Sequence, residues 1–267
     1  MPEPVLATRD LSIRFGGHTA VDAVSAAFHA GTLTAIVGPN GAGKTTYFNL
    51  ISGQLRATSG AVLVAGHDVT RAGPADRARA GLGRAFQITN LFPHLTVHEN
   101  VRLAVQGRAT GSASVLTRWT GRQDWIAAAD GYLAEVNLTA ERDLRVVTLP
   151  HGAKRKLEVA LMMALEPKVY LFDEPTAGMS VDEVPVILDL IARLKRQGDK
   201  AILLVEHKMD VVRSLADRII VLHNGRLVAD GDPATVIASP IVQEAYLGMA
   251  PAAGPGTGPV AGSAAHG

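Results

Sequence analysis

The chain has 267 residues and no cysteine. That absence excludes disulfide bridges, thiolate catalysis and cysteine-ligated zinc. Aromatic residues are also scarce, at 4% of the chain, although 47% of the residues are hydrophobic. The core must therefore be built mainly from Ala, Val and Leu. Helical stretches alternate with short β-branched runs, and this order predicts a layered α/β architecture.

An excess of charge of one sign is also missing, because the formal net charge is only +1. No basic stripe or arm is present, which disfavours nucleic acid as a partner. No uninterrupted apolar run approaches the ~20 residues that span a bilayer. The N-terminus, Met1-Pro2-Glu3-Pro4, lacks the basic and then apolar pattern of a signal peptide. We therefore expect that any work at a membrane is that of a peripheral subunit.

Hydrophobic periodicity divides the chain into an α/β core and a helical insertion. Strands are predicted at 11–15, 21–28, 33–37, 61–65, 169–172, 201–205, 218–222 and 226–229, and helices after the third strand and at 74–80 and 184–194. Residues 88–164 have helical spacing, so we expect a helical subdomain inserted between core segments 5–87 and 165–248. Within it, residues 107–117 are rich in Gly, Ser and Thr and predict a loop. Residues 249–267 are rich in Ala, Gly and Pro, which predicts a disordered tail.

A glycine-rich loop follows the strand predicted at 33–37 and precedes a helix. It consists of Gly38, Pro39, Asn40, Gly41, Ala42, Gly43, Lys44, Thr45 and Thr46. In this setting the pattern G-x-x-x-x-G-K-[ST] forms a phosphate cradle, because backbone N–H groups and the helix N-terminus point at the anion. Lys44 can then reach the β and γ phosphates, and the Thr45 hydroxyl can hold Mg²⁺. The alternative is a glycine turn that fits the pattern by chance, which the flanking strand and helix disfavour.

An acidic pair, Asp173-Glu174, closes the apolar strand predicted at 169–172. Ligands of α/β sheets bind at the carboxyl ends of strands. Asp173 can hold Mg²⁺ there through water, and Glu174 can act as a general base toward an attacking water. The alternative is a pair that merely caps a strand before Pro175, and the four apolar residues before the pair disfavour it.

Two further polar residues, His207 and Gln87, indicate a site only when they are considered together with the motifs above. His207 follows the strand predicted at 201–205 and could contact a γ phosphate, but on its own a surface histidine is the better interpretation. Gln87 lies at the edge of the helical insertion and could reach Mg²⁺ or the attacking water. On its own it reads as a solvated loop glutamine.

Taken together and in this order, these residues resemble the ATPase subunit of an ABC transporter over residues 5–248. Lys44 and Asp173-Glu174 match the two Walker motifs, Gln87 matches the Q-loop and His207 matches the switch histidine. Phe15 falls where the family stacks an aromatic ring on adenine. The alternative for Phe15 is a core residue on one strand face with two other apolar residues, Leu11 and Ile13.

The resemblance implies a P-loop ATPase core with an N-terminal antiparallel β subdomain and an inserted helical subdomain. It implies ATP and Mg²⁺ as cofactors, with Thr45, Gln87 and Asp173 at the metal and with Glu174, His207 and Gln87 in hydrolysis. It also implies a second ATPase cassette, transmembrane permeases and, indirectly, a periplasmic or extracellular substrate-binding protein as partners. The implied location is peripheral, on the cytoplasmic face of the inner (plasma) membrane.

The chain departs from the family pattern in its signature segment, usually Leu-Ser-Gly-Gly-Gln, which is here Leu149-Pro150-His151-Gly152-Ala153. In the family this segment contacts the γ phosphate bound by the partner cassette. Pro150 has neither a hydroxyl nor an N–H, whereas Gly152 can still present its amide. Ser180 stands where the family's D-loop usually carries Asp. Both departures weaken what this chain offers to its partner's nucleotide.

Several segments look like those of ATPases from branched-chain (hydrophobic) amino-acid importers. They are residues 14–17, 81–87, the insertion around Trp119, 156–160 and 244–248. Urea and amide importers share the pattern, and the lipopolysaccharide-export ATPase is a near relative. A regulatory cassette with little hydrolysis, which the signature changes favour, and an ABC protein that acts on nucleic acid remain as other functional classes.

Overall fold

The computed structural model describes residues 3–85, 91–110, 122–240 and 242–243. Within these ranges it contains two β-sheets, with helices on both sides of the larger one. Within the same ranges no helix combines the length and the apolar character that a membrane span requires.

The smaller sheet is antiparallel and has the strand order β2-β1-β4-β5. Its strands are β1 (Leu6–Phe15), β2 (His18–Phe28), β4 (Ser59–Val64) and β5 (His67–Asp68). The predicted antiparallel sheet near the N-terminus is thus confirmed, with β1 and β2 longer than predicted. The alternation does not reveal β5, because two polar residues show no apolar periodicity.

The larger sheet has the order β10-β9-β3-β8-β7-β6 and is parallel except for β10, which pairs antiparallel with β9. Its strands are β3 (Leu33–Val37), β6 (Leu82–Ala85), β7 (Val169–Asp173), β8 (Ala201–Val205), β9 (Arg218–His223) and β10 (Arg226–Gly231). The three central strands β3, β8 and β7 are buried along their whole length, as continuous apolar runs predict for parallel strands. Strand β6 is not predicted, because Gly83 and Arg84 interrupt its short apolar pattern.

The helices are α1 (Lys44–Ser52), α2 (Pro74–Arg79), α3 (Val97–Thr110), α4 (Gln123–Glu135), α5 (His151–Leu165), α6 (Val184–Arg196), α7 (Met209–Leu215) and α8 (Pro233–Ala238). The loop predicted at 107–117 is wrong for its first part, because α3 continues through Gly107 to Thr110. Glycine costs a helix about 1 kcal/mol relative to alanine, but burial of Val101 and Val105 on the same helix outweighs that penalty. Residues 111–117, Trp119 and the predicted tail 249–267 lie outside the described residues.

Two apolar clusters cover the two faces of the parallel sheet. Phe172 and Leu204 point into a cluster shared with α3, α4, α5 and α6, and Leu171 and Leu203 point into a cluster shared with α1 and the smaller sheet. Helix α1 thus lies between the two sheets, and the helices of the insertion share one core with the parallel sheet. The division of the chain into subdomains stays a prediction.

Candidate functional site

The glycine loop at 38–43 links β3 to α1 in a backbone conformation that only glycine adopts easily. Gly38, Gly41 and Gly43 have φ of +152°, +79° and +96°. A Cβ atom on Gly38 would lie 2.1 Å from the carbonyl oxygen of Leu222, and one on Gly43 would lie 2.4 Å from that of Ala20. The loop is therefore wedged between β2 and the β9–β10 hairpin, and its shape is fixed from both sides.

Lys44 is the first residue of α1, and its side chain is buried beneath this loop. The Lys44 ammonium donates to the carbonyl oxygens of Gly38 at 2.6 Å and Pro39 at 2.9 Å. Burial lowers the pKa of Lys44, and the nearby carboxylates of Glu174 and Asp173 oppose that shift. The lysine of the first motif therefore lies within electrostatic reach of the acidic pair of the second.

Strand register explains why the two motifs meet. In the parallel sheet Ile36 and Asp173 both pair with Val205, so β3, β8 and β7 end at the same level. Gly38 and Glu174 leave the sheet directly beyond those ends. The backbone N–H of Glu174 donates to the carbonyl of Val205 at 2.9 Å, and Glu174 has φ +51°, a left-handed conformation that is uncommon for a non-glycine residue. Such conformations cluster at functional sites.

His207 contacts Glu174 directly. The His207 Nε2 and Glu174 Oε1 atoms are 2.7 Å apart, and each side chain is about two-fifths exposed, at 41% and 42%. The carboxylate of Glu206 is buried and accepts hydrogen bonds from the Thr176 hydroxyl at 2.5 Å and from the backbone N–H of His207 at 2.9 Å. His207, which the sequence alone presents as a surface histidine, is thus one half of a pair that Glu206 and Thr176 hold in place.

Arg84 holds the carboxylate of Asp173. The two side chains are 9% and 7% exposed, and Arg84 Nη2 donates to Asp173 Oδ2 at 2.9 Å. Burial raises the pKa of Asp173, and the Arg84 guanidinium opposes the rise. The sequence prediction missed Arg84, Glu206 and Thr176. For Arg84 and Glu206 the available signal was a charged residue inside or directly after an otherwise apolar strand, whereas Thr176 gave no such signal.

Phe15 ends β1 and is 50% exposed, whereas Leu11 and Ile13 on the same strand are buried. The alternative that Phe15 belongs to the core is therefore wrong. Its ring is available at the surface, and its predicted stacking on adenine stays a prediction.

The signature segment enters α5 through Pro150, which caps the helix in an extended conformation, and His151 is the first helical residue. Gly152 is buried, and a Cβ atom built on it would lie 1.7 Å from the Glu183 Oε1 atom. Glu183 also accepts hydrogen bonds from the N–H and hydroxyl of Ser180, at 3.2 and 3.1 Å. A carboxylate that the sequence prediction missed thus lies beside the first turn of α5.

The remaining predicted residues lie on the glycine loop or in the first turn of α1, with one exception. Asn40 and Thr45 are exposed, Thr46 is half-buried and Ala42 is buried. Gln87 lies outside the described residues, which stop at Ala85 on β6 and resume at Leu91. Its predicted place near the metal and the attacking water stays a prediction.

A parallel sheet that brings a glycine loop, a buried lysine, two carboxylates and a histidine to one edge defines a P-loop nucleoside triphosphatase. The profile of the family described as "ABC transporter" matches residues 21–177, more than half of the chain. The chain belongs to the ATP-binding subunits of ABC transporters, a family that hydrolyses ATP.

Individual relatives cover nearly the whole chain. The high-affinity branched-chain amino acid transport ATP-binding protein BraF of Pseudomonas aeruginosa is 34% identical over 94% of this chain and 100% of its own. Among solved structures, the ADP conformation of MJ1267, an ATP-binding cassette of an ABC transporter, has a TM-score of 0.78 at 28% identity and covers 93% of this chain and 100% of its own. The cbiO1 protein of Clostridium perfringens, part of the ABC transporter complex cbiONQ, has a TM-score of 0.74 at 26% identity, over 89% of this chain and 92% of its own.

The predicted fold class is confirmed by these cassettes, and so is the prediction of an ATPase of the ABC transporter family. The chain is an ATP-hydrolysing subunit of an ABC transporter. Cassettes of this family work with other cassettes and with permease subunits.

Proposed function

We propose that this chain powers an importer of branched-chain or other hydrophobic amino acids. The similarity to BraF carries the proposal, because it extends over the whole length of that protein at 34% identity. In the family a separate binding protein and the permeases choose the cargo. An importer of urea or amides is the alternative, since its ATPase shares the same sequence pattern.

In this proposal ATP binds over the glycine loop. Backbone N–H groups of residues 38–43 and the N-terminus of α1 face the phosphates. Lys44 turns from the carbonyls of Gly38 and Pro39 to the β and γ phosphates, and the exposed ring of Phe15 stacks on the adenine. The closeness of the Lys44 charge to both carboxylates supports one shared site.

The residues present suit Mg²⁺, because the Thr45 hydroxyl and the Asp173 carboxylate are the oxygen donors that this ion prefers. Thr45 and Asp173 lie at the same edge of the sheet, where the Asp173 carboxylate is close enough to Lys44 to affect its pKa. Thr45, Asp173 and Gln87 are the proposed holders of the ion. When bound, the ion neutralises charge on the phosphate oxygens.

Hydrolysis is assigned to the pair at the end of β7. Glu174 accepts a proton from the attacking water as general base. His207 orients that carboxylate through the 2.7 Å contact and contacts the γ phosphate, so it responds when the phosphate leaves. Gln87 reaches the same water or metal from the helical insertion.

An exposed apolar patch supports contact with a permease. Phe92, Leu144 and Val147 are each at least half exposed, and the Val147 N–H donates to the Pro93 carbonyl, so the two segments lie side by side. Exposed apolar side chains gathered in one place mark interaction surfaces. The patch begins five residues after Gln87 in the sequence, which supports permease contact near the Q-loop. The chain would accordingly lie on the cytoplasmic face of the inner (plasma) membrane as a peripheral subunit.

The signature segment favours an asymmetric pair of cassettes. Pro150 offers no hydroxyl or N–H, and the Glu183 carboxylate beside Gly152 adds negative charge where a partner's γ phosphate would approach. In a heterodimer, the site built on Lys44 would use a complete signature from the partner and turn over. The partner's own nucleotide would face Pro150 and be hydrolysed slowly.

The steady-state ATPase rate of the purified chain tests this function, alone and with a candidate partner cassette. Glu174→Gln should bind ATP and accumulate an ATP-bound dimer while hydrolysis falls about 10²–10⁴-fold, the usual contribution of a general base. Glu135→Gln, at an exposed position on α4, is the matched control and should keep the wild-type rate.

Each outcome is informative. Activity of the chain alone that Glu174→Gln removes would show a working homodimer and contradict the asymmetric pair. Activity that needs the partner, with unequal turnover at the two sites, supports it. Hydrolysis that survives Glu174→Gln would remove Glu174 from the role of base. Uptake of leucine but not urea by vesicles that contain the full transporter would decide between the two cargo classes.

A further inference from the structure

Arg84 joins three parts of the nucleotide site that are distant in sequence. It lies within β6, and its guanidinium reaches both β7 and α1. Nη2 donates to Asp173 Oδ2 at 2.9 Å, whereas Nη1 donates to Asn49 Oδ1 at 2.7 Å and to Ser52 Oγ at 2.6 Å. The guanidinium carbon also lies 5.9 Å from the centre of the Phe48 ring. The side chain is thus held on several sides in one orientation.

We propose that Arg84 is a positioning residue that fixes the carboxylate of Asp173 relative to Thr45, and so sets the spacing of the two oxygen donors offered to magnesium. This inference rests on the proposed role of Asp173 and Thr45 at the metal. It goes beyond that role, because Arg84 itself would touch neither the metal nor the nucleotide.

The arrangement on α1 is the first argument. Thr45, Asn49 and Ser52 are spaced four and three residues apart, which places them along one face of the helix. Arg84 donates to Asn49 and Ser52 through Nη1 and to Asp173 through Nη2. A rotation of Asp173 or a slide of α1 would therefore break a hydrogen bond on one side of the same rigid, planar group.

The burial of both charges is the second argument. Removing one partner of an ion pair this deeply buried strongly destabilises the folded protein, because the other charge is left uncompensated. A surface pair with the same distance would exchange partners freely. Arg84 donates to Oδ2 of Asp173 and not to Oδ1. The hydrogen bond to Arg84 therefore uses only one of the two carboxylate oxygens.

A purely structural ion pair is the competing explanation, and Arg77 provides the matched control. Arg77 is also buried and also holds α1, through the carbonyls of Leu50 and Ile51. Arg77 donates its hydrogen bonds to backbone carbonyls, and among the described residues none of these bonds goes to Asp173. Loss of either arginine removes hydrogen bonds to the C-terminal half of α1, but only loss of Arg84 should change how the site responds to magnesium.

The experiment measures the equilibrium affinity of the full chain for a fluorescent ATP analogue, once in EDTA and once in Mg²⁺. The ratio of the two affinities is the magnesium-dependent gain. For Arg84→Met we expect affinity in EDTA to stay at the wild-type value and the gain to fall about 10–100-fold, as is typical when the partner of a metal ligand is removed. Arg84→Lys should recover part of the gain, and Arg77→Met should keep it.

An undiminished gain in folded Arg84→Met would overturn the proposal, and so would an equal loss of gain in Arg77→Met. Equal losses in EDTA and in Mg²⁺ would also overturn it, since Arg84 would then support the loop as a whole. If Arg84→Met does not fold, the double variant Asn49→Ala and Ser52→Ala removes only the anchors on α1. It should lower the gain, and an unchanged gain would count against the proposal. Failure of the wild-type chain to bind ATP in either buffer would contradict the proposed function instead.

Discussion

Arg77 should be one of the most important single side chains for the stability of this protein. It extends from α2, is 2% exposed and donates to four backbone carbonyls. The acceptors are Leu50 at 2.5 Å, Ile51 at 2.6 Å, Thr70 at 2.8 Å and Ala72 at 3.0 Å. Two of them, Leu50 and Ile51, lie in the last turn of α1, where carbonyls lack a partner within the helix, although the Leu50 carbonyl also accepts from the Gly53 N–H at 3.3 Å. The helix that begins with Lys44 is thus held at its other end by Arg77.

The expected cost of Arg77→Met follows from these contacts. Each buried carbonyl left without a donor costs about 1–3 kcal/mol. Removing the arginine also relieves the desolvation of a buried cation, and methionine refills much of the apolar volume, so the costs do not simply add. We expect a net loss of about 2–4 kcal/mol, which is large for one substitution. Domains are typically stable by only ~5–15 kcal/mol, so this is a considerable share.

Urea unfolding followed by circular dichroism, with linear extrapolation to water, measures this loss. Arg79→Met is the control on the same helix, because the Arg79 side chain is 64% exposed and forms its ion pair with Asp76, which is equally exposed. The control should change stability by less than about 0.5 kcal/mol. A loss below about 1 kcal/mol for Arg77→Met, at an unchanged m-value, would refute the view that its four hydrogen bonds hold the end of α1.

Two further predictions concern the glycine loop. Lys44→Ala should lose nucleotide affinity in a fluorescence titration while the fold is kept, and tight ATP binding by this variant would remove Lys44 from the phosphate site. Gly43→Ala should lower both the melting temperature and ATP affinity, because its Cβ would lie 2.4 Å from the Ala20 carbonyl and its φ of +96° adds strain of about 1–3 kcal/mol. Gly17→Ala, whose Cβ would meet nothing within 4 Å, is the control, and an equal effect there would contradict the steric explanation.

The elements that the sequence predicts well are those whose signal is local. The apolar runs at β3, β7 and β8 identify buried parallel strands, and the glycine pattern before Lys44 identifies the loop between β3 and α1. Local signals also fail in a consistent way. Gly83 weakens the strand pattern of β6, which is stabilised by its pairing with β7. Gly107 suggests a loop, although it lies inside α3. In both cases packing with distant segments outweighs the preference of the residue itself.

The partners of the site residues were not predictable in the same way. Arg84 and Asp173 are 89 residues apart in the sequence. Glu183, at the start of α6, lies against Gly152 in the first turn of α5. A charged residue in an apolar strand indicates that it needs a partner, but the sequence does not show which residue that partner is. Burial of both members of such a pair becomes visible only when the strands are placed side by side.

Short sequence patterns were enough to predict the main residues of the candidate site, which are the glycine loop with Lys44 and Thr45 and the acidic pair at 173–174, and to predict a parallel α/β fold. These follow from short patterns, because hydrogen bonding and backbone sterics act over a few residues. The tertiary structure alone decided that His207 is bound to Glu174 across 33 residues, that Phe15 faces solvent, and that Arg84 ties Asp173 to α1. The reason is strand register, since the pairing of Ile36 and Asp173 with Val205 brings three separate chain segments to one edge of one sheet.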